Sequence, residues 1–126
     1  MKILFIWLLA SLAAPTSNPS PVAEPSILGK WSAPDIENAI INVYKAKDGL
    51  IYGKIISCDK EDWVGETILK EARYDSQSKS WKGEVYSLRM FFTVDVEMSL
   101  EPKEKLKIVG TRFFMTKTFY WERVKE

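Results

Sequence analysis

Few residues of this sequence belong to the types that perform chemistry. The chain of 126 residues contains no His and one Cys, Cys58. Without His, Ser-His-Asp and Cys-His catalysis and all His-ligated metal sites are excluded. A single Cys also excludes an internal disulfide and a multi-Cys zinc site. Cys58 stands beside acidic residues, which is an unfavourable setting for a reactive thiolate, and we interpret it as structural.

Carboxylates are the remaining candidates, and they form two groups. Asp59, Glu61 and Asp62 lie in one predicted loop, whereas Asp95 and Glu97 share one face of a predicted strand. Paired carboxylates perform glycoside hydrolysis, and clustered oxygen ligands suit hard cations. However, the loop lacks the Asp-x-Asp-x-Asp-Gly spacing, and a polar strand face opposite an apolar one is usually solvated. We therefore predict no enzyme activity, no metal and no other cofactor.

Composition bounds the class of protein. Hydrophobic residues make up 46% of the chain and charged residues 28%, which is typical of a globular protein, and the length allows one domain. The 18 basic residues nearly balance the 17 acidic residues, so no excess charge favours a nucleic-acid partner. We expect one packed domain that does not bind nucleic acid.

The N-terminal segment predicts export. A positive start, Met1-Lys2, precedes an apolar run that is too short to span a membrane, and Ser11-Leu12-Ala13 fits the small-x-small cleavage rule. The predicted segments are a signal peptide at residues 1–13, a flexible Pro- and Ser-rich leader at residues 14–26 and a β-barrel domain at residues 27–126. The chain is thus predicted to be a bacterial periplasmic or secreted protein with no stable membrane anchor after cleavage.

A hairpin is predicted near the start of the domain. The runs 38–46 and 50–57 are rich in β-branched and aromatic residues, and Asp48-Gly49 between them is a strong signal for a two-residue type I′ turn. Such a turn pairs Lys47 with Leu50, which places Tyr44 opposite Gly53.

The clearest alternation lies between residues 90 and 100. One face is apolar and the other mostly polar, which predicts a half-buried strand. The apolar face is Met90, Phe92, Val94, Val96, Met98 and Leu100, and the other is Phe91, Thr93, Asp95, Glu97 and Ser99.

Further strands are predicted at 81–87, from Leu106 onwards and at 116–124, and the ambiguous segment 66–74 is interpreted as a strand. Seven or eight short strands with short turns predict an all-β fold, a single small antiparallel up-and-down barrel of the lipocalin or streptavidin type. Closure is the expected outcome because it removes exposed edges.

The two ends of the domain carry a closure signal. Gly29 and Trp31 open the first strand, and Arg123 lies in the last. This resembles the lipocalin-type arrangement in which an Arg covers a Trp ring at the closed end of the barrel. We therefore predict that Trp31 and Arg123 meet.

The sequence resembles the family called domain of unknown function 2147. The resemblance implies a small exported bacterial protein with a lipocalin-like barrel, and it implies no catalytic residues. Two segments depart from the family pattern: 87–92 replaces an Asp-Pro-x-Asn-Gly-Lys-like turn, and 113–118 replaces a Gly-rich stretch. The matching pieces are Leu28-Gly29-Lys30-Trp31, residues 41–55, Gly65-Glu66-Thr67-Ile68-Leu69, Trp81-Lys82-Gly83-Glu84-Val85-Tyr86, Leu106-Lys107-Ile108-Val109-Gly110 and Trp121-Glu122-Arg123-Val124.

Three function classes are open, and an enzyme is the least favoured of them because the chain has no His and no nucleophile motif. The other two depend on the barrel interior. A barrel of eight strands either is filled by side chains or holds one small ligand. In the first case the protein is a protein-interaction or structural envelope factor, with Phe113-Phe114-Met115 as a contact patch. In the second it binds a small apolar molecule. The candidate ligand-binding residues are Tyr44, Trp81, Val85, Met90, Phe92, Val94 and Met98.

Overall fold

The computed structural model describes residues 26–125 and shows a closed antiparallel barrel in which each strand pairs with the next and the last pairs with the first. The predicted signal peptide and all of the predicted leader except Ser26 lie outside the described residues. The strands are β1 Gly29–Ala33, β2 Ala39–Lys45, β3 Ile51–Ser57, β4 Thr67–Asp75, β5 Ser80–Ser87, β6 Phe92–Glu101, β7 Lys105–Arg112 and β8 Met115–Arg123.

The predicted all-β, up-and-down barrel is confirmed, including β4, whose sequence also contains good helix formers. A single 3₁₀ turn at Glu61–Trp63 lies between β3 and β4. None of the helical segments among residues 26–125 is long and apolar enough to cross a membrane.

The barrel has two different ends. The connections after β2, β4 and β6 lie at the end where β1 pairs with β8 through Trp31 and Arg123, and we call this the closed end. The connections after β1, β3, β5 and β7 lie at the opposite end, which we call the open end. Strands β6, β7 and β8 are eight to ten residues long and β1 has five, so the β6–β8 wall extends beyond β1 at the open end.

The interior is apolar and densely filled towards the closed end. Inward-facing positions alternate with outward-facing ones along most strands, whereas β4 has irregular register and buries the consecutive residues Ile68 and Leu69. Trp31, Trp81 and Trp121 are the largest of the fully buried side chains. The other buried hydrophobic residues are Ile27, Ala33, Ala39, Ile41, Val43, Ile51, Ile55, Ile68, Leu69, Ala72, Val85, Val96, Met98, Leu106 and Ile108.

The predicted turn between β2 and β3 is wrong by one residue. Ala46, not Lys47, closes the hairpin: its amide donates to the Leu50 carbonyl at 2.9 Å. The loop therefore has three residues and ends on Gly49 at φ +84°, a conformation that favours glycine. The extra residue shifts the register, so that Val43 faces Gly53 and lies inside the barrel.

Tyr44 is consequently on the outer face, and its predicted place in the barrel interior is wrong. It pairs with Tyr52, and the two rings stack with centroids 6.2 Å apart. A one-residue change of register sends every side chain of a strand to the other face, so one extra loop residue accounts for the whole error.

The predicted alternation of β6 is confirmed. Val96 and Met98 are buried, and Asp95 and Glu97 are exposed on the outer face. Two details differ from the prediction. Met90 precedes the strand and lies exposed in the β5–β6 turn, and Phe92 is only half-buried because it lies where the barrel opens.

Candidate ligand site at the open end

The closed end is sealed by Arg123, as predicted. Its Cζ lies 4.4 Å from the centroid of the Trp31 ring. Its guanidinium also donates to the carbonyls of Leu28 at 2.8 Å and Ser26 at 3.0 Å. Gly29 permits the approach, because a Cβ there would lie 3.1 Å from Arg123 Nη1. Arg123 therefore covers the Trp31 ring and binds the chain segment that precedes β1 at this end.

The predicted ligand residues near the closed end form a packed core. Trp81 pairs with Met98 across β5 and β6, and the Tyr74 ring lies with its centroid 4.9 Å from that of Trp81. Trp81 and Met98 have almost no exposed surface, and Val85, which pairs with Val94 nearer the open end, is buried as well. A ligand contact by these three side chains stays a prediction, and it would require that the core open.

The inner face of the barrel becomes accessible at the open end. Val96, Gly110 and Lys117 form one inward-facing row across β6, β7 and β8, and Lys117 is exposed. Gly110 has no side chain, and a Cβ there would lie 3.0 Å from Val94 and 3.8 Å from Phe119. Val94 and Phe119 are half-buried and pack against the core. Apolar surface is therefore reachable from solvent beside the Lys117 ammonium.

Arg112 borders this accessible region. It occupies the same inward-facing alternation of β7 as Gly110, and its Cζ lies 3.9 Å from the centroid of the Phe92 ring and 4.8 Å from that of Phe113. Its Nη1 donates to the Thr93 carbonyl at 3.2 Å. These contacts hold a cation at the mouth of the barrel without burying it fully.

Sequence reasoning missed Arg112 and Lys117 as inner-face residues. The sequence pattern could have identified Arg112, because the inward-facing positions Leu106, Ile108 and Gly110 repeat every second residue and the next position is Arg112. For Lys117 the face follows only from the register of β7 with β8, which pairs it with Gly110.

A loop partly covers the other side of the open end. In the β1–β2 loop, Ile36 packs against the core, and Glu37 forms an ion pair with Arg89 of the β5–β6 turn. Asn38 donates to Asp59 at 2.7 Å, which ties this loop to the β3–β4 connection. The cover leaves the β6–β8 wall as the accessible part of the mouth.

The two groups of carboxylates lie on separate parts of the surface. Asp59, Glu61 and Asp62 are exposed in the β3–β4 connection, and Glu97 accepts a hydrogen bond from Ser80 Oγ at 2.6 Å on the outer face. Within residues 26–125 there is no group of three His, Cys, Asp or Glu side chains able to hold a metal ion. The Cys58 thiol donates to the Lys60 carbonyl at 2.9 Å, which agrees with a structural role.

Two open clefts of about 530 Å³ each lie on the outer surface. One is lined mostly by charged residues of β4 and β5, Arg73 and Lys82 among them. The other contains Tyr44, Asp48 and Tyr52.

The Tyr52 hydroxyl donates to Asp48 at 2.7 Å, which raises the pKa of Tyr52 to about 12. Hydrogen bonds from the Leu50 amide and then from Tyr52 lower the pKa of Asp48.

A closed eight-stranded meander with an Arg over a Trp at one end defines a lipocalin-like barrel. The chain belongs to the family whose model is described as "Uncharacterized protein conserved in bacteria (DUF2147)", which matches residues 29–123. A similar solved structure is described as protein HP1028 from the human pathogen Helicobacter pylori, belonging to the lipocalin family. Its TM-score is 0.63 at 15% identity over 80% of this chain and 84% of that chain, a likeness that shows the fold alone. No curated protein matches the chain by sequence.

Proposed function

We infer that this protein is exported to the bacterial periplasm or secreted, and that it binds a small amphiphilic molecule at the open end of its barrel. The observation that carries the binding proposal is the half-exposed apolar surface of Phe92, Val94 and Phe119 on an inner face that also presents Lys117. Pockets that bind small ligands combine apolar walls with a few polar groups that fix orientation.

The position of the ligand follows from what fills the barrel. The three buried Trp side chains occupy the closed half, so the ligand lies against the β6–β8 wall and not deep inside. The acyl or other apolar part of the ligand packs on Val94 and Phe119, whose side chains close over Gly110.

The charge of the ligand follows from the two cations at the mouth. The residues alone suggested a ligand without charge, because Arg112 and Lys117 were not assigned to the inner face. With both cations beside apolar surface, the polar end of the ligand is acidic, since an anion gains from charge-assisted hydrogen bonds there. Lys117 makes the contact, while Arg112 is already engaged with Thr93 and two Phe rings.

The alternative function is a protein-interaction or structural envelope factor. The filled closed half of the barrel favours it, as do the exposed side chains Phe113, Phe114 and Met115. The two functions differ in whether the inner face of β8 binds a small molecule.

Calorimetric titration with decanoate, and with uncharged decanol as the comparison, tests the ligand proposal. Decanoate is expected to bind more tightly than decanol. Lys117→Glu is expected to weaken decanoate binding about tenfold, which corresponds to roughly 1.4 kcal/mol. The matched control Thr118→Glu places the same charge one residue away on the outer face and should change binding less than about twofold. Equal effects of the two variants, or no decanoate binding, would contradict the proposal and favour the alternative.

A further inference from the structure

Two neighbouring turns at the open end expose large apolar side chains. The β5–β6 turn exposes Met90 by 62% and Phe91 by 77%. The β7–β8 turn and the start of β8 expose Phe113 by 81%, Phe114 by 103% and Met115 by 78%. We call these five residues the tip surface. Single exposed apolar residues are ordinary, but a group of this size on one end of a small protein marks an interaction site.

The two turns form one continuous surface. Strands β6 and β7 pair along their length up to Asp95 and Thr111, so the turns that flank them lie side by side. Arg112 bridges them, because its guanidinium lies over both the Phe92 ring, next to one turn, and the Phe113 ring, in the other.

The charged side chains of the two turns and the adjoining strand ends have one sign, while the acidic Glu37 of the β1–β2 loop and Asp95 of β6 lie close by. Residues 87–94 and 111–118 contain three charged residues, and all three are basic: Arg89, Arg112 and Lys117. Arg89 is paired with Glu37, which leaves Arg112 and Lys117 as the cations facing an approaching surface. Apolar side chains flanked by basic ones are typical of segments that lie in the interface of an anionic bilayer.

The backbone of the turns is held in an unfavourable conformation. Phe91 has φ +62° and Phe113 has φ +57°, a region where Gly or Asn is favoured and a bulky side chain is uncommon. Residues of other turns, among them Glu37, Lys79 and Lys103, occupy the same region, so tight-turn geometry accounts for it. Phe91 and Phe113 carry two of the five exposed apolar side chains.

We propose that the tip surface inserts into the interface of an anionic lipid bilayer and so holds the open end of the barrel at a membrane surface. The exposed Thr93, Thr111, Thr116 and Thr118 lie just behind the tips and limit the depth of insertion. The acidic residues Asp59 and Asp62 of the β3–β4 connection lie on the far side of the open end, so the barrel tilts with its β6–β8 wall towards the lipid. This contact does not depend on the ligand proposal.

The observations favour a bilayer over a second copy of the chain. A symmetric dimer through the tip surface would bring Arg112 and Lys117 of both copies into one interface, and like charges close together across an interface repel each other. A bilayer accepts two convex tips without needing a complementary groove, and its phosphates pair with both cations.

Vesicle flotation tests the proposal with the purified full chain after export. Vesicles of phosphatidylethanolamine with phosphatidylglycerol are expected to carry the protein, and vesicles of phosphatidylcholine alone to carry much less. The double variant Phe113→Ser with Phe114→Ser is expected to lower the bound fraction at least about tenfold, since it removes two inserted aromatic side chains. Lys117→Glu should abolish the preference for the anionic vesicles.

Tyr120→Ser is the matched control, because Tyr120 is an exposed aromatic residue of the same strand towards the closed end, and it should leave binding unchanged. Circular dichroism establishes that each variant is folded, and the exposure of both replaced Phe side chains makes folding of the double variant the expected result. Absence of wild-type flotation, or equal losses in the double variant and Tyr120→Ser, would overturn the proposal. So would sedimentation showing a dimer or a protein complex that the double variant disrupts while flotation is unaffected.

Discussion

The guanidinium carbon of Arg123 lies 4.4 Å from the centre of the Trp31 ring, where the last strand of the barrel pairs with the first. The same side chain donates to the carbonyls of Ser26 and Leu28 and pairs with Glu104 at 3.0 Å. Trp31 Nε1 donates to the Ile27 carbonyl at 2.8 Å. One Arg thus joins the N-terminal segment, β1, β8 and the β6–β7 turn, and it closes the barrel both by stacking and by hydrogen bonds.

Removal of this side chain is expected to destabilise the barrel. Arg123→Ala should lower the free energy of unfolding by about 1–3 kcal/mol, through lost stacking and unpaired carbonyls. Arg123→Lys should lower the free energy of unfolding by a smaller amount than Arg123→Ala, because Lys retains the positive charge but lacks the planar guanidinium group. Urea unfolding followed by Trp fluorescence measures both. Arg73→Ala, at an exposed position on β4, is the control. A loss of stability in Arg123→Ala no larger than that in Arg73→Ala would contradict a structural role of Arg123.

The Asp48–Tyr52 hydrogen bond predicts a stability change at high pH. The pKa of Tyr52 is raised to about 12, so the folded state holds this proton more tightly than the unfolded state. The resulting stabilisation is complete below the ordinary pKa of Tyr and is lost as the pH rises towards about 12. Absorbance titration of the phenols should show one late-titrating Tyr that Tyr52→Phe removes. An unchanged titration in that variant would contradict the assignment.

The same hydrogen bond predicts a change of stability at low pH, because the pKa of Asp48 is shifted down whereas that of Tyr52 is shifted up. The pKa of Asp48 is lowered, so its stabilising effect is present above the ordinary pKa of Asp and is lost as the pH falls through the lowered value. Asp48→Asn should therefore flatten the acid limb of the stability profile, measured by urea unfolding at a series of pH values. It should also return the titration of Tyr52 towards that of an ordinary phenol.

A new carboxylate should be tolerated near the mouth and not in the core. Alternation alone predicts that Phe92→Asp abolishes folding, but Phe92 is half-buried under the Arg112 guanidinium, so the new carboxylate gains a partner. Met98→Asp on the same face buries an unpaired charge and should cost several kcal/mol, about the whole stability of a small domain. Circular dichroism should show Phe92→Asp folded and Met98→Asp unfolded, and equal outcomes would contradict the filled-core interpretation.

Two inner-face glycines should respond differently to a methyl group. A Cβ at Gly83 would lie 2.8 Å from the Ala72 Cα and 3.0 Å from the Lys70 carbonyl oxygen. Both are backbone atoms, which can move away only if strand β4 itself moves. A Cβ at Gly110 would meet the Val94 side chain at 3.0 Å, which can rotate. Thermal unfolding should therefore show a larger loss for Gly83→Ala than for Gly110→Ala. The reverse order would indicate that β4 moves away from β5 more easily than Val94 changes rotamer.

The parts of the fold that follow from local pattern were predictable. Strict alternation placed Val96 and Met98 inside, and the Trp31–Arg123 contact followed from their positions on terminal strands. Tyr44 was misplaced because loops of two and three residues share the Asp48-Gly49 signal, and only long-range pairing decides between them. Lys117 escaped notice for a related reason: its face depends on the register of β8 with β7, which hydrophobic pattern does not specify where β8 carries Thr and Lys.

The most direct test of the ligand site is an NMR titration of the ¹⁵N-labelled protein with decanoate. Binding at the open end predicts shifts of the backbone amides of Val94, Gly110 and Lys117, while the indole N–H signals of Trp31 and Trp121 stay in place. Trp121 is the sensitive reporter, because its buried Nε1 has no hydrogen-bond partner among the described residues and an entering carboxylate would pair with it. A shifted Trp121 indole signal with unchanged open-end amides would place the ligand deep in the barrel and contradict the proposed site.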